Sequence, residues 1–236
     1  MIKKRLNLNV KLLSVYFLVM VLVAILQIII SRFFPRVVDD EQLSLTFNSL
    51  MNLGAYFLLT LSLVLVAKRY LWQNQWVQFR SQLGIGMMLI AIGMMLMFTM
   101  NFLVAGLFGV FGVELNPENQ QVLELIAQSS PLNRISLLIF AGFFAPIVEE
   151  LVFRKSIYGM IERRLGVLSA IVFSSFLFGL IHVIIDLSNF IQIVPYMGLG
   201  LVLAFMYYFS GKLIFVPIFM HMIMNLISLF ALLLLS

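Results

Sequence analysis

Long apolar runs separated by short polar stretches organise this chain. Seven segments reach the roughly 20 apolar residues that a helix needs to cross a hydrocarbon core: Leu12–Ile30, Phe47–Ala67, Leu83–Phe108, Ile135–Phe153, Val167–Ile185, Phe190–Phe209 and Leu213–Leu235. Helices satisfy every backbone polar group internally, as lipid requires. The expected fold is therefore all-α, a polytopic transmembrane bundle of about seven spans. The third segment carries Asn101 and extends to Gly112, so it is either one tilted helix or a helix followed by a partly inserted turn. The longest polar stretch, Glu114–Arg134, is read as a loop with a short interfacial helix at Gln120–Gln128. Basic Met1–Lys11 ahead of an apolar run has the look of a signal peptide. That run is too long for a typical signal core and no small-residue cleavage site follows, so a retained helix is expected.

Composition supports the same picture. Apolar residues make up 63% of the 236 and charged residues 11%, against roughly 45–50% and 25% in soluble domains. Mean hydropathy is +1.10, which leaves too little polar surface for a water-soluble fold. The absence of cysteine excludes disulfides, thiol nucleophiles, iron–sulfur centres and cysteine-ligated zinc. A net charge of +5 would suggest nucleic acid in a soluble protein, but in a membrane protein basic residues mark cytoplasmic loops. No nucleic-acid partner is expected; the lipid bilayer is.

Charge also orients the chain. With the N-terminus inside, the inner face receives Lys3, Lys4, Arg5, Lys11, Lys68, Arg69, Arg80, Arg154, Lys155, Arg163, Arg164 and Lys212. Only Arg32, Arg36 and Arg134 of the 15 basic residues fall outside. The acidic residues Asp39, Asp40, Glu41, Glu114, Glu118, Glu124 and Asp186 also fall outside. Seven spans from an inside start put the C-terminus outside. There is no internal repeat, low-complexity tract or soluble domain. Motif content alone divides the chain, into membrane helices without motifs over 1–134 and a candidate catalytic core over 135–236.

Ionisable groups within a bilayer cost about 2.5–3.5 kcal/mol each and point to function. Glu149 and Glu150 close the run AGFFAPIVEELVFR, and the two histidines both lie in apolar helices: His182 in FLFGLIHVII, and His221 in PIFMHMIMN with Asn225 four residues on. A turn near Gly166 would make an antiparallel hairpin with Glu149 and His182 each about 24–25 Å from it. Glu149 then lies about 8 Å below Arg154, and His221 about 13 Å below Lys212. The four groups share one depth, and a site in the inner half of the membrane reached from the cytoplasm is expected. Helical spacing pairs Glu150 with Arg154 and turns Glu149 about 100° away, so that the two glutamates should not both face the histidines. His221 and Asn225 share a face, and Phe178, one turn before His182, could wall the site. Pro146 and Pro217 cannot donate backbone hydrogen bonds, so bends are expected there. Taken one at a time, such residues are usually interhelical hydrogen-bond glue; four converging from three helices favour chemistry.

A carboxylate, two imidazoles and an amide suit hydrolysis of a peptide bond by water. Glu149, stripped of solvent, serves as general base; one histidine relays the proton, and the other histidine with the Asn225 amide stabilises the oxyanion. A serine mechanism lacks a G-x-S-x-G elbow around Ser174 or Ser175. A zinc site with Glu149, His182 and His221 as ligands is the alternative, although H-E-x-x-H is absent. No other cofactor is expected.

The residues Glu149-Glu150-Leu-Val-Phe-Arg154, Phe178-Gly-Leu-Ile-His182 and His221-Met-Ile-Met-Asn225 resemble, in order, the E-E-x-x-x-R, F-x-x-x-H and H-x-x-x-[ND] motifs of the CAAX-protease and bacteriocin-processing family, also called Abi. The resemblance covers about Ile135–Leu235. It implies a multi-pass intramembrane endopeptidase of the cell membrane, acting on a membrane-associated peptide or protein in CAAX-type processing, pheromone or bacteriocin maturation, or immunity. It also implies the roles of Glu149 as base, His182, His221 and Asn225 as the rest of the site, and Arg154 in support. Family descriptions speak of metalloproteases, whereas the glutamate-base reading needs no metal. Two other classes compete: a non-catalytic scaffold regulating a sensor kinase or peptide transporter, and a proton-coupled transporter, which the absence of inverted repeats disfavours. Substrate identity, any lipid on the substrate and oligomeric state are not legible in the sequence.

Overall fold

The computed structural model describes residues 2–35, 39–113, 118–184 and 187–235. Arg36, Glu114 and Asp186, counted in the charge asymmetry, lie outside them, as does Ile185 at the end of the fifth expected span. Helix α1 covers Ile2–Phe33. Helix α2, Glu41–Lys68, starts at an Asp40 cap whose carboxylate accepts from the Leu43 N–H at 2.8 Å, as an N-cap should. It continues through a π-helical stretch, Arg69–Trp76, and a short helical end, Val77–Ser81. Helix α3, Leu83–Val110, is continuous, so the third apolar segment is one helix. At about 42 Å it exceeds the hydrocarbon thickness and must tilt or protrude. Helix α4, Glu118–Ala127, is the short helix expected in the polar connection.

The next rod, α5, starts at Ser130, whose hydroxyl caps the Asn133 N–H with Pro131 in the first turn. It alternates register: α over Pro131–Ile139, π over Phe140–Phe144, α over Ala145–Glu149 and π over Glu150–Tyr158. Helix α6, Gly159–Val183, is broken at Gly166, with φ 83° and ψ 176°, a conformation that glycine reaches without a Cβ penalty. Helix α7 is Ile193–Phe209 and α8 is Phe215–Leu235.

Six helical stretches among the described residues are long and apolar enough to cross a membrane. One, Pro131–Val183, has 53 residues and would measure about 80 Å if straight, far beyond a bilayer core of about 30 Å. The break at Gly166 folds it into a hairpin that sets the Phe153 and Phe178 rings 5.4 Å apart. Counted as two crossings, it brings six to the seven read from the sequence. The chain is thus a multi-pass membrane protein, and its many exposed large apolar side chains, such as Phe102 and Val110, suit contact with lipid.

One core joins both halves of the chain. Leu12, Leu59 and Leu63 pack with Val148, Leu151, Phe153, Tyr158, Phe178 and Tyr207. A second cluster, rich in methionine (Met97, Met206, Met220 and Met224), seals α3 against α7 and α8. Two contacts tie the basic end: Gln75 Oε1 accepts from the Ile214 N–H at 2.7 Å, and Lys212 Nζ meets Glu162 at 2.7 Å.

Candidate active site

The α5 register change falls on the paired glutamates. Glu149 ends the short α segment and Glu150 opens the π segment. A π turn holds more residues than an α turn, so successive side chains diverge less. An imidazole also offers two nitrogens on different edges. His221 uses both: Nδ1 lies 3.0 Å from Glu150 Oε1, and Nε2 lies 3.7 Å from Glu149 Oε2. The expectation that only one glutamate faces the histidines is therefore corrected. Glu150 orients His221, while Glu149 Oε2 is buried and accepts no hydrogen bond among the described residues.

The expected Glu150–Arg154 pair is present, with Nε 3.0 Å from Oε2 and both side chains fully buried. The contact is close but poorly aligned as a hydrogen bond; it is an ion pair first. The guanidinium also lies over the Phe178 ring, 4.7 Å from its centroid, and Nη2 donates to the Gly200 carbonyl at 3.4 Å. Phe178 does more than wall the site: His182 lies against it at 4.8 Å and His221 at 5.7 Å. One aromatic ring thus orders the arginine and both histidines.

His182 Nδ1 is 2.7 Å from the Phe178 carbonyl. A carbonyl only accepts, so Nδ1 carries the hydrogen and Nε2 is left to the cavity. Tyr196 of α7 stacks on the imidazole at 4.4 Å and 18°. Sequence reasoning missed this residue, since nothing local links positions 182 and 196. Asn225 is partly committed: Nδ2 donates to the Ala141 carbonyl at 2.8 Å. The cause lies in the π stretch. The Ala145 N–H bonds to the Phe140 carbonyl, and residue 146 is proline and has no N–H. The Ala141 carbonyl is left without a helical donor, and Asn225 supplies one across the bundle. Its second amide hydrogen remains for other work.

Glu149, Phe178, His182, His221 and Asn225 all line one cavity of about 270 Å³. On α8 the lining residues are His221, Met224, Asn225, Ser228, Leu229 and Leu232; on α5 they are Phe140, Ala141, Ala145 and Glu149. Both series start at the reactive groups and run away from the basic end, and Leu123 of α4 joins them there. On α6 the lining runs from Phe178 through Ile181 to His182, so that the cavity also reaches one turn towards the basic end. Below the site Arg154, Leu151, Phe153, Tyr158 and Tyr207 are buried and packed together. Among the described residues Glu149 is the only carboxylate or basic side chain besides the two histidines in the lining, and Tyr56, Met97 and Asn101 come from the half of the chain without motifs.

The residues do not form a ready metal cage. Among the described residues, no group of three His, Cys, Asp or Glu side chains is placed to hold an ion. His221 spends Nδ1 on Glu150 and His182 spends Nδ1 on a carbonyl, so Glu149 and the two Nε2 atoms are the available donors, and these three do not converge as zinc requires.

Comparison with known proteins agrees with the motif reading. Residues 131–227 match the family model described as Type II CAAX prenyl endopeptidase Rce1-like. The chain is 35% identical over 116 residues to a putative membrane peptidase, YdiL, of Bacillus subtilis, covering 49% of this chain and 43% of that protein. It is 30% identical over 122 residues to the membrane-embedded CAAX protease MroQ of Staphylococcus aureus, covering 49% and 45%. The matched part thus spans less than half the length of either relative. No solved structure matches.

Proposed function

We propose, from the three ordered motifs and the match of residues 131–227 to the family model of Rce1-like CAAX prenyl endopeptidases, that the chain is an intramembrane endopeptidase cleaving a membrane-associated peptide or protein. One observation carries the reading: a buried glutamate whose Oε2 has no hydrogen-bond partner among the described residues lies 3.7 Å from a histidine that a second glutamate holds in place. Glu149 takes a proton from water, and the resulting hydroxide adds to the carbonyl carbon of the scissile bond. His221 Nε2 lies beside Glu149 to share that proton, with Glu150 fixing its tautomer through Nδ1. The second amide hydrogen of Asn225, and His182 when Nε2 is protonated, face the developing oxyanion. The proton then passes to the leaving nitrogen, the C–N bond breaks, and a carboxylate and an amine result.

This reading needs no metal; Glu149, His182 and His221 would be the ligands in a zinc mechanism. The apolar lining suits a peptide with uncharged residues beside the scissile bond, and CAAX-type processing, pheromone or bacteriocin maturation and immunity are the roles the family suggests. The test compares membrane peptidomes of cells carrying the wild-type chain, Glu149→Gln or no copy. Peptides that accumulate equally in the last two, and not in the first, are substrates. A Glu149→Gln strain indistinguishable from wild type would favour a scaffold.

A further inference from the structure

One polar residue of the cavity wall has no part in the hydrolysis. Asn101 lies in the otherwise apolar second half of α3, and it lines the cavity that holds Glu149, His182 and His221. Its place on the helix is that of a packing residue. Met97, Val104 and Phe108, three, four and seven residues away on the same face, are buried, whereas the adjacent Phe102 and Leu103 are exposed. Asn101 itself is half-buried, since its face meets the cavity at this level. Among the described residues its amide makes no hydrogen bond. Interhelical hydrogen bonding, the usual reason for an amide in a membrane helix, is therefore not its role. In apolar surroundings an amide costs free energy until something pairs with it.

Packing sets its level. Helices α3 and α8 both start at the basic end, where Gln75 holds the Ile214 N–H, and Gly93 lies so close to Met220 that a Cβ would not fit. Asn101 is about 12 Å beyond Gly93 along α3, and Ser228 about 12 Å beyond Met220 along α8. Both line the cavity, so Asn101 stands at the level of Ser228, about 10 Å along the bundle from that of His221. An extended chain rises about 3.3 Å per residue. A peptide lying along the cavity with its reacting carbonyl at Glu149 thus brings a main-chain group to Asn101 about three residues away.

We propose that Asn101 is a substrate-binding residue whose amide pairs with the main chain of the bound peptide, about three residues from the scissile bond. A side-chain amide offers both a donor and an acceptor, as a peptide group does, and the nearby walls of Met97, Leu199 and Leu203 offer neither. A helical segment pairs its own peptide groups and gains nothing from Asn101, so the segment bound there is extended. The substrate class is an uncharged, extended peptide recognised at this subsite through its main chain. Calling that peptide a substrate rests on the endopeptidase reading; binding of its main chain does not.

Binding is measured without turnover, in the full-length Glu149→Gln protein immobilised in detergent. The probe is the membrane-peptide extract of cells carrying Glu149→Gln, and retained peptides are quantified by mass spectrometry. Adding Asn101→Leu should lower retention about tenfold, as loss of neutral hydrogen bonds does. Asn101→Gln should keep most of it, and the outward-facing control Phe102→Leu all of it. The melting temperature of Asn101→Leu should not fall, because no partner within the protein is lost. A synthetic copy of the best-retained peptide then has its amide links replaced by esters, one at a time. One ester should weaken binding to Glu149→Gln about tenfold and leave binding to the variant that also carries Asn101→Leu unchanged, the non-additivity of a direct pair. Equal retention with and without Asn101→Leu, no retained peptide, ester effects that add at every position, or earlier melting of Asn101→Leu overturns the proposal. Incubating the retained peptide with the wild-type chain separates the two readings. Retention through Asn101 without cleavage would sink the endopeptidase alone, and cleavage with retention indifferent to Asn101 would sink the subsite alone.

Discussion

The sharpest test of the site's foundation is removal of one charge from its buried pair. In Glu150→Gln the side chain keeps its shape and an acceptor oxygen, but Arg154 loses the carboxylate it pairs with at 3.0 Å. Arg154 is fully buried, and its other partners are a 3.4 Å contact to the Gly200 carbonyl and the Phe178 face. Breaking a buried pair from one side costs about 3–5 kcal/mol. A further share, about 1 kcal/mol, comes from weakening the His221 Nδ1 hydrogen bond from a charged to a neutral acceptor. At roughly 2–4 °C per kcal/mol for a chain of this size, the melting temperature should fall on the order of 10 °C. Replacing both partners, as Glu150→Gln with Arg154→Met, removes the stranded cation and should recover about half of the loss. The assay is thermal unfolding in detergent micelles, read by size-exclusion of the surviving monodisperse fraction. A single variant that melts within about 2 °C of wild type would show that the pair does not hold the helix end.

Four further outcomes follow from the same geometry. Glu149→Gln should lower the cleavage rate by about 10²–10⁴, the range of a lost general base, with an unchanged melting temperature; turnover near wild type would misassign the base. Tyr196→Phe should retain the stack on His182 and its activity, whereas Tyr196→Ala should lower kcat more than it raises KM; equal behaviour of the two variants in steady-state assays would refute a positioning role. Asn225→Ala leaves the Ala141 carbonyl without a donor, which should cost about 1–3 kcal/mol of stability, visible as earlier melting in the same assay. Reporters fused to each end should place the first residues inside and the last outside; two cytoplasmic reporters would mean an even number of crossings.

How far the sequence could be read depends on the range of each signal. Seven apolar segments, the Gly166 turn, the Glu150–Arg154 spacing and the convergence of Glu149, His221 and Asn225 were legible because each rests on composition, helical spacing or a short motif. Three things were not. The α-to-π change at Glu150 leaves no mark on a 3.6-residue pattern, and it is what brings both glutamates to His221. Tyr196 and Asn101 reach the cavity only through tertiary packing, and Asn101 showed itself merely as an oddity in an apolar run. The burial of Arg154 could not follow from spacing either: a charged residue near a helix end is expected to reach for water, and here a glutamate and an aromatic face hold it inside instead. The residue that marks the basic end of the helix in the sequence is fully buried beneath the reactive glutamate and forms the floor on which the site is built.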